Sequence, residues 1–264
     1  MHEAASTRTS DGSAGDVDYG EIGSSYARYR QPEPVIAAQI LAALGTARRV
    51  LNVGAGAGSY EPVDREVVAV EPSATMRAQR PPHLSRALDA VAEALPFEEG
   101  SFDAAMATVT VHQWSDLERG LAELRRVTRG PIVLLVGDPA LMRNYWLHEY
   151  APEVREVEAR RFPSISRIVA GLGGEPEIQL VPVPRDCRDG FNEAYYARPE
   201  LLLEADRRLA CSSWSLVSAE VVARFVERLS SDLESGRWDD RHGHWRATSY
   251  WDGPLRLIVS SSSS

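Results

Sequence analysis

A glycine-rich stretch follows the first predicted strand and is the first place where the chain can bind a ligand. Residues 50–53 are short and apolar, and residues 54–58 carry a glycine at every second position. Glycine allows a sharp turn and lets a ligand approach the backbone without a Cβ clash. A dinucleotide fingerprint would need its third glycine where Ser59 stands. The acid in residues 59–62 suits a cationic ligand better than a pyrophosphate, although the glycines alone also fit a tight turn.

A carboxylate at the end of the second predicted strand strengthens the ligand interpretation. Residues 67–70 are apolar, and Glu71 follows them directly. A carboxylate in this position can accept hydrogen bonds from both ribose hydroxyls of an adenosine ligand. The alternative is a solvated acid at a strand end, which the preceding glycine loop disfavours.

The elements that must position these residues alternate between strands and helices. Apolar runs predict strands at 50–53, 67–70, 86–91, 102–109, 132–136, 178–183 and 255–259. Helical periodicity and capping signals predict helices at 34–44, 73–79 and 116–127. Continuous apolar strands that alternate with helices are typical of parallel sheets covered on both faces. We therefore predict an α/β fold with a Rossmann-like, doubly wound, mainly parallel seven-stranded sheet, helices on both faces and an inserted substrate cap.

Five short motifs resemble one family in both their order and their spacing. They are VLNVGAGAG at 50–58, VAVEPS at 68–73, AEALPF at 92–97, SFD at 101–103 and HQW at 112–114. Over about residues 25–139 the chain resembles the class I S-adenosylmethionine (SAM)-dependent methyltransferases of the UbiE/menaquinone-biosynthesis-like (methyltransferase type 11) family. The resemblance implies SAM as the cofactor, S-adenosylhomocysteine as its product and a small-molecule acceptor.

The resemblance also implies which residues contact the cofactor. Gly54, Gly56 and their loop would hold the methionine part, Glu71 the ribose, and Ala92 with Glu93 the adenine edge. The predicted cofactor-binding residues are Asn52, Gly54, Ala55, Gly56, Glu71, Pro72, Met76, Ala92, Glu93, Thr108 and Arg30.

The chain departs from the family pattern at two positions. Asn52 stands where an aspartate is commoner, and it can accept a hydrogen bond without carrying charge. Val91 stands where an aspartate often binds the adenine amino group, and a valine side chain cannot do so. Backbone groups or packing must then hold the adenine, and we expect weaker cofactor binding rather than its loss.

Residues 26–30, YARYR, resemble the family segment that closes over the cofactor. Tyr26 and Tyr29 lie three residues apart and can share a helical face. Arg30 can pair with the methionine carboxylate. A surface amphipathic helix explains the same pattern equally well.

A histidine after the fourth predicted strand is the candidate for proton transfer. His112 lies at the carboxyl edge of the sheet, and an imidazole can accept a proton near neutral pH. We name His112 as the candidate base, with Tyr26 or Tyr29 as a helper. The alternative is a histidine that only shapes the pocket, because proximity alone drives many methyl transfers.

An irregular region with several aromatic residues follows the regular alternation. We predict a SAM-binding domain over 19–183 and 254–260, a substrate-covering cap over 185–253, and disordered ends at 1–18 and 261–264. An aromatic lining favours a flat acceptor, which we predict to be an aromatic or indolic specialised metabolite. The predicted substrate-binding residues are Trp114, Trp146, Asp186, Tyr195, Tyr196 and Trp214.

The overall charge and composition exclude several other function classes. The formal net charge is −9, which disfavours binding to nucleic acid. No apolar run is long enough to span a bilayer and no signal peptide is recognisable, so we expect a cytoplasmic protein without a membrane partner. The two cysteines lack zinc-ligand spacing, and no carboxylate cluster with ligand spacing accompanies His242 and His244, so we predict no metal. The sequence does not indicate an oligomeric state.

Two other readings remain open from the sequence. The chain can be a SAM-binding protein of methyltransferase fold that transfers no methyl group, such as a cyclase or a non-catalytic binding module. An NAD-dependent oxidoreductase is a further alternative, which the glycine spacing disfavours.

Overall fold

A mixed β-sheet forms the centre of the computed structural model, which describes Thr9, residues 11–13 and residues 26–261. In the described part, six strands pair in the order β2-β1-β3-β4-β8-β5. They are β1 (Arg49–Val53), β2 (Glu66–Val70), β3 (Ala104–Thr108), β4 (Ile132–Gly137), β5 (Glu177–Leu180) and β8 (Leu255–Ser260). The first four strands of this order are parallel, and the last two run antiparallel to their neighbours.

Helices cover the sheet and continue into the region after β4. The α-helices are α1 (Tyr26–Tyr29), α2 (Pro34–Leu44), α3 (Ala74–Ala78), α4 (Leu117–Val127), α5 (Trp146–Tyr150), α6 (Pro152–Arg161), α7 (Ile165–Leu172), α8 (Ala205–Leu209), α9 (Ala219–Glu234), α10 (Arg237–His242) and α11 (His244–Ala247). Short 3₁₀ helices occupy Val111–Gln113, Asn192–Tyr195, Pro199–Leu203 and Ser212–Leu216. Among the described helices, none combines the length and the apolar character that crossing a bilayer requires.

Local capping explains where the helices around the sheet begin. The side chain of Ser73 accepts a hydrogen bond from the Met76 amide at 3.1 Å, and Asp116 accepts one from the Arg119 amide at 3.0 Å. These bonds satisfy backbone donors that the first turn of a helix leaves unpaired. The two helices therefore start at the capping residues that the sequence predicts.

Alternation of side chains along the strands separates two apolar layers. Leu51 and Val53 of β1 face one layer, which is completed by Leu121 of α4 and Ile168 of α7. Val50 faces the opposite layer, to which α2 and the helices after β4 contribute. Because both faces of the central strands are buried, the strands are mainly apolar, as is typical of parallel sheets.

The predicted fold class is confirmed, with one difference at the edge of the sheet. The segment expected to form a strand at 86–91 contributes a single bridge between Val70 and Leu88. The Leu88 amide donates to Ala69, and the Glu71 amide donates to the Leu88 carbonyl. Leu88 is 45% exposed, so little apolar burial supports a longer strand at this edge. The described sheet therefore has six strands where seven were predicted.

The region predicted as a cap is built mainly from short helices. A two-stranded ribbon, β6 (Val183–Pro184) with β7 (Tyr250–Trp251), closes its two ends. Trp238 and Phe225 are fully buried there and belong to the same apolar cluster as the α2 side of the sheet. The division at 185–253 stays a prediction. Residues 1–8, 10, 14–25 and 262–264, which include most of the predicted disordered ends, lie outside the described residues.

Candidate functional site

A cleft opens where β1, β2 and β3 end. Its volume is about 850 Å³ including the open mouth. The structure brings together in its walls most of the residues predicted to bind a cofactor. These residues are Arg30, Gly54, Ala55, Gly56, Glu71, Pro72, Met76, Ala92, Glu93 and Thr108. Tyr26, a predicted helper for proton transfer, and Trp114, a predicted substrate-binding residue, also line the cleft.

The glycine loop after β1 has a backbone that other residues rarely adopt. Gly54 has a φ of 69° and Gly56 a φ of 51°. The amides of Gly54 and Ala55 both donate to the Val70 carbonyl at the end of β2, at 2.9 and 3.0 Å. A Cβ on Gly54 would lie 2.1 Å from the hydroxyl oxygen of Thr110. The glycines are therefore required both for the turn and for close contact with the segment after β3.

Glu71 lies in the floor of the cleft and is 7% exposed. Its two carboxylate oxygens accept hydrogen bonds from the Gly56 and Ser73 amides, each at 2.8 Å. Burial raises the pKa of this carboxyl group, although the two amides act in the opposite direction. Each oxygen keeps a lone pair after these bonds. Glu71 is therefore held in place and can still accept hydrogen bonds from two hydroxyls of a ligand.

Asn52 lies beneath the glycine loop and is not among the residues that line the cleft. Its side chain is fully buried, and its amide donates to Glu61 at 3.0 Å. Glu61 in turn pairs with Arg80 at 2.8 Å, and both side chains are almost completely buried. The structure thus gives Asn52 a neighbouring carboxylate as its partner, whereas the sequence suggested a ligand.

Arg30 reaches the cleft wall, but its charge already has a partner. Its guanidinium donates to Asp189 at 2.6 Å and to the Tyr26 hydroxyl at 3.2 Å. Asp189 is 2% exposed and also accepts a hydrogen bond from the Tyr60 hydroxyl at 2.9 Å. Tyr60 has a φ of 64° in the loop that follows the glycines. One carboxylate therefore connects the N-terminal segment, the glycine loop and the region after β6.

The two tyrosines of α1 lie in different surroundings. Tyr26 lines the cleft, whereas Tyr29 does not. The Arg207 guanidinium lies 5.1 Å from the centre of the Tyr29 ring, and the Tyr29 carbonyl accepts from the Gly190 amide. Of the two predicted helpers for proton transfer, the structure brings only Tyr26 to the cleft.

His112 lines a second pocket next to the cleft, and Trp114 is shared by both. The His112 ring stacks on Phe162 with the ring centres 4.1 Å apart. Its Nδ1 is buried and has no hydrogen-bond partner in the described part of the chain. Burial, reinforced by the charges of Arg161 and Arg30, lowers the pKa of His112 well below its ordinary value. The imidazole is therefore neutral near pH 7 and is a weak base.

Most of the predicted substrate-binding aromatics form the interior of the region after β4. The Trp146 indole donates to the Tyr196 carbonyl, and the Trp214 indole donates to Asn192, both at 2.9 Å. Tyr195 is also buried. Asp186 is exposed on the surface. Among the predicted substrate residues, the structure places only Trp114 in the cleft wall.

Sequence reasoning missed several cleft residues that follow β3. Three of them are Val109, Thr110 and Gln113. The backbone of Val109 has a φ of 52°, which is unusual for a residue other than glycine. Strained backbone of this kind is concentrated at functional sites. The HQW motif indicated that this segment belongs to the site. The sequence does not show whether His112 or Gln113, neighbours in a short 3₁₀ turn, faces the ligand.

The two histidines near the end of the chain have structural partners. The Nε2 of His242 donates a hydrogen bond to the Glu149 carboxylate at 3.0 Å, and its ring packs beside Trp238. The His244 ring packs beside Trp245. Over the described ranges, no group of three or more His, Cys, Asp or Glu side chains has an arrangement that could hold a metal ion.

Comparisons with known proteins identify the family. The methyltransferase domain family matches residues 51–132. A solved structure from Anabaena variabilis, described as a methyltransferase from an antibiotic biosynthesis pathway, is 30% identical. The match covers 89% of this chain and 100% of that chain with a TM-score of 0.84. The chain belongs to the SAM-dependent methyltransferases.

A second solved structure supports the fold of this methyltransferase. A SAM-dependent methyltransferase from Thermotoga maritima is 17% identical, with 92% of this chain and 96% of that chain covered and a TM-score of 0.52. A comparison with curated proteins found no match. The cofactor of the methyltransferase is SAM, and the cleft fits it, because a turn of glycines and a buried carboxylate with free lone pairs lie side by side.

Proposed function

We propose that the chain transfers a methyl group from SAM to a small-molecule acceptor by in-line displacement. When bound, SAM supplies a methyl group that its sulfonium already activates. The protein must then bind the cofactor and the acceptor, orient them towards each other and exclude water from the site. The observation that supports this proposal most directly is the fixed carboxylate of Glu71 beside the glycine loop.

In this proposal, different cleft residues contact the ribose, methionine and adenine parts of the cofactor. Glu71 accepts hydrogen bonds from the ribose hydroxyls, and the Gly54 and Gly56 loop lies against the methionine part. Ala92 and Glu93 lie at the adenine edge. The Glu93 carboxylate already accepts from the Ser115 hydroxyl at 2.9 Å, which fixes its position.

Proximity rather than strong base catalysis drives the transfer in this proposal. A general base works best when its pKa is close to the working pH, and the pKa of His112 is lowered well below its ordinary value. The stacked ring of His112 also lies in the neighbouring pocket. In this proposal His112 shapes the acceptor side of the site, and Tyr26 lines the cleft itself.

The acceptor we propose is an aromatic or indolic specialised metabolite. Trp114 offers an aromatic surface between the cleft and the pocket of His112. The description of the Anabaena variabilis protein as part of an antibiotic biosynthesis pathway supports a specialised metabolite as the acceptor. The alternative is a protein of the same fold that binds SAM and transfers no methyl group.

Two measurements test the proposal. Calorimetry should show SAM and S-adenosylhomocysteine binding to the wild type, and Glu71→Ala should weaken it about tenfold to a hundredfold, the effect of losing hydrogen bonds to a charged group. Glu99→Ala removes an exposed carboxylate outside the cleft and serves as the control. Transfer of a labelled methyl group to a metabolite extract separates the enzyme from a binding module. Unchanged affinity in Glu71→Ala would reject the proposed site.

A further inference from the structure

Gln113 has an unusual environment in the cleft wall. It ends the 3₁₀ turn Val111–Gln113 and is 7% exposed. Its Oε1 and Nε2 atoms are both buried, and neither has a hydrogen-bond partner within the described residues. The residue nevertheless lines the cleft. Few buried amides leave both a donor and an acceptor unpaired, because each unpaired group costs stability.

The segment that carries Gln113 packs against residues 91–93. Glu93 accepts hydrogen bonds from the Ser115 hydroxyl at 2.9 Å and from the Asp116 amide at 3.1 Å. A Cβ placed on Gly120 would lie 2.5 Å from the Trp114 ring and 3.3 Å from the Ala92 Cβ, so these two side chains flank the same glycine. Gln113 therefore lies at the same end of the cleft as residues 91–93.

At that end of the cleft, Val91 stands where the family often has an aspartate that binds the adenine amino group. Val91 lines the cleft and offers no hydrogen bond. The Oε1 atom of Glu93 accepts hydrogen bonds from Ser115 and Asp116, and a carboxylate cannot donate a hydrogen bond to a ring nitrogen. An unpaired amide nearby has one donor and one acceptor at the spacing of an adenine edge, which carries an amino donor next to a ring-nitrogen acceptor.

We propose that Gln113 recognises the adenine base of the bound cofactor. Its Oε1 accepts a hydrogen bond from the exocyclic amino group, and its Nε2 donates to the adjacent ring nitrogen. The inference rests on the proposed function, which assigns Ala92 and Glu93 to the adenine edge. A neutral amide does this work without adding a third negative charge to a cleft that already contains Glu71 and Glu93.

The test compares two ligands rather than two activities. The first ligand is S-adenosylhomocysteine, and the second is its 6-deamino purine analogue, which lacks only the exocyclic amino group. The wild type should bind the analogue about tenfold more weakly, because the acceptor oxygen of Gln113 is then left unpaired. Gln113→Leu should bind S-adenosylhomocysteine about tenfold more weakly than the wild type and should no longer distinguish the two ligands.

A second variant and a control complete the experiment. Gln113→Glu keeps the acceptor but loses the donor, so it should still prefer the ligand with the amino group while binding it more weakly. It also keeps the test available if Gln113→Leu does not fold. Gln39→Leu removes another amide whose oxygen is buried and unpartnered, on α2 and outside the cleft wall. This control should leave both affinities unchanged.

The outcomes separate the inference from the proposed function. If the wild type binds neither ligand, the cofactor site itself is refuted, and the role of Gln113 with it. If the wild type binds S-adenosylhomocysteine while Gln113→Leu binds it equally well, or still prefers it over the analogue, the proposed role of Gln113 is wrong and the cofactor site stands. Thermal unfolding gives an independent readout. Gln113→Leu without ligand should melt no lower than the wild type, and its melting temperature should rise less on adding S-adenosylhomocysteine.

Discussion

The contact between Asn52 and Glu61 leads to a prediction about stability. The family more often has an aspartate where this chain has Asn52, and here the amide donates to Glu61 at 3.0 Å in a fully buried position. An aspartate in the same position would put two carboxylates in contact beneath the glycine loop. We therefore expect Asn52→Asp to destabilise this protein, even though it restores the commoner residue of the family.

The size of the effect follows from the charges around the site. Two like charges about 4 Å apart repel by about 4 kcal/mol at an effective dielectric constant of 20. The pair can avoid this cost by binding a proton, which from an aspartate pKa of about 3.9 costs about 4 kcal/mol at pH 7. Arg80 lies 2.8 Å from Glu61 and offsets part of the repulsion. We expect Asn52→Asp to lower the free energy of unfolding by about 2–4 kcal/mol at pH 7.

The pH dependence identifies the cause of the destabilisation. Repulsion from Glu61 raises the pKa of the introduced carboxyl group in the folded state, so the folded variant binds a proton that the unfolded chain has lost. Its stability relative to the wild type is therefore highest below about pH 4 and falls as the pH rises towards the raised pKa. At pH 5 the loss should be at most about 1.5 kcal/mol, because binding the proton then costs no more than that.

Urea unfolding of the wild type and the variant at pH 5, 6, 7 and 8 measures this difference. Asn144→Asp makes the same substitution at an exposed position and should change the free energy of unfolding by less than about 0.5 kcal/mol. The double variant Asn52→Asp with Glu61→Gln restores a single carboxylate and should recover part of the loss. A loss below about 0.5 kcal/mol at pH 7, or one that does not change with pH, would refute the reasoning.

Four other predictions concern the cleft and its surroundings. Burial raises the pKa of Glu71, so acidification should weaken the binding of S-adenosylhomocysteine at a higher pH than it would with an exposed glutamate. Calorimetry between pH 5 and 8 measures this dependence, and an affinity that does not change with pH would contradict the role of the ionised carboxylate. His112→Asn should retain most of the turnover with an unchanged pH profile, whereas a loss of about a hundredfold or more would restore the base role. Asp189→Asn leaves a buried arginine without its charged partner and should cost roughly 3–5 kcal/mol in urea unfolding, whereas Asp64→Asn, which removes the largely exposed partner of Arg65, should have a much smaller effect. Residues 26–30 should exchange their amide hydrogens more slowly when S-adenosylhomocysteine is bound, and equal exchange rates would exclude a lid.

The parts of the fold that follow from local pattern were predictable from the sequence. Apolar runs and capping residues place β1, β2 and the helix that Asp116 caps, because each signal lies within a few residues of its effect. The prediction of a strand at 86–91 was wrong, because a strand there would depend on apolar burial at the edge of the sheet. Leu88 remains half exposed there, and local sequence carries no information on that burial.

The candidate site was predictable where backbone geometry dictates the residue type. Gly54 and Gly56 must be glycines for their positive φ, and Glu71 follows β2 directly. The orientation of neighbouring side chains was not predictable. His112 stacks on Phe162, a residue far away along the chain, and leaves Gln113 at the cleft wall. Packing against a residue distant in the sequence therefore determines that Gln113, and not His112, lines the cleft.

The network around Asp189 connects cofactor binding with the region predicted to cover the acceptor. Asp189 accepts from Arg30 of the N-terminal segment and from Tyr60 of the loop that follows the glycines. Next along the chain, the Gly190 amide donates to the Tyr29 carbonyl. A buried carboxylate with two such partners cannot move without leaving one of them unpaired, so the three segments should move together. Displacing Arg30 from Asp189 should therefore also disturb the contact between the Gly190 amide and the Tyr29 carbonyl.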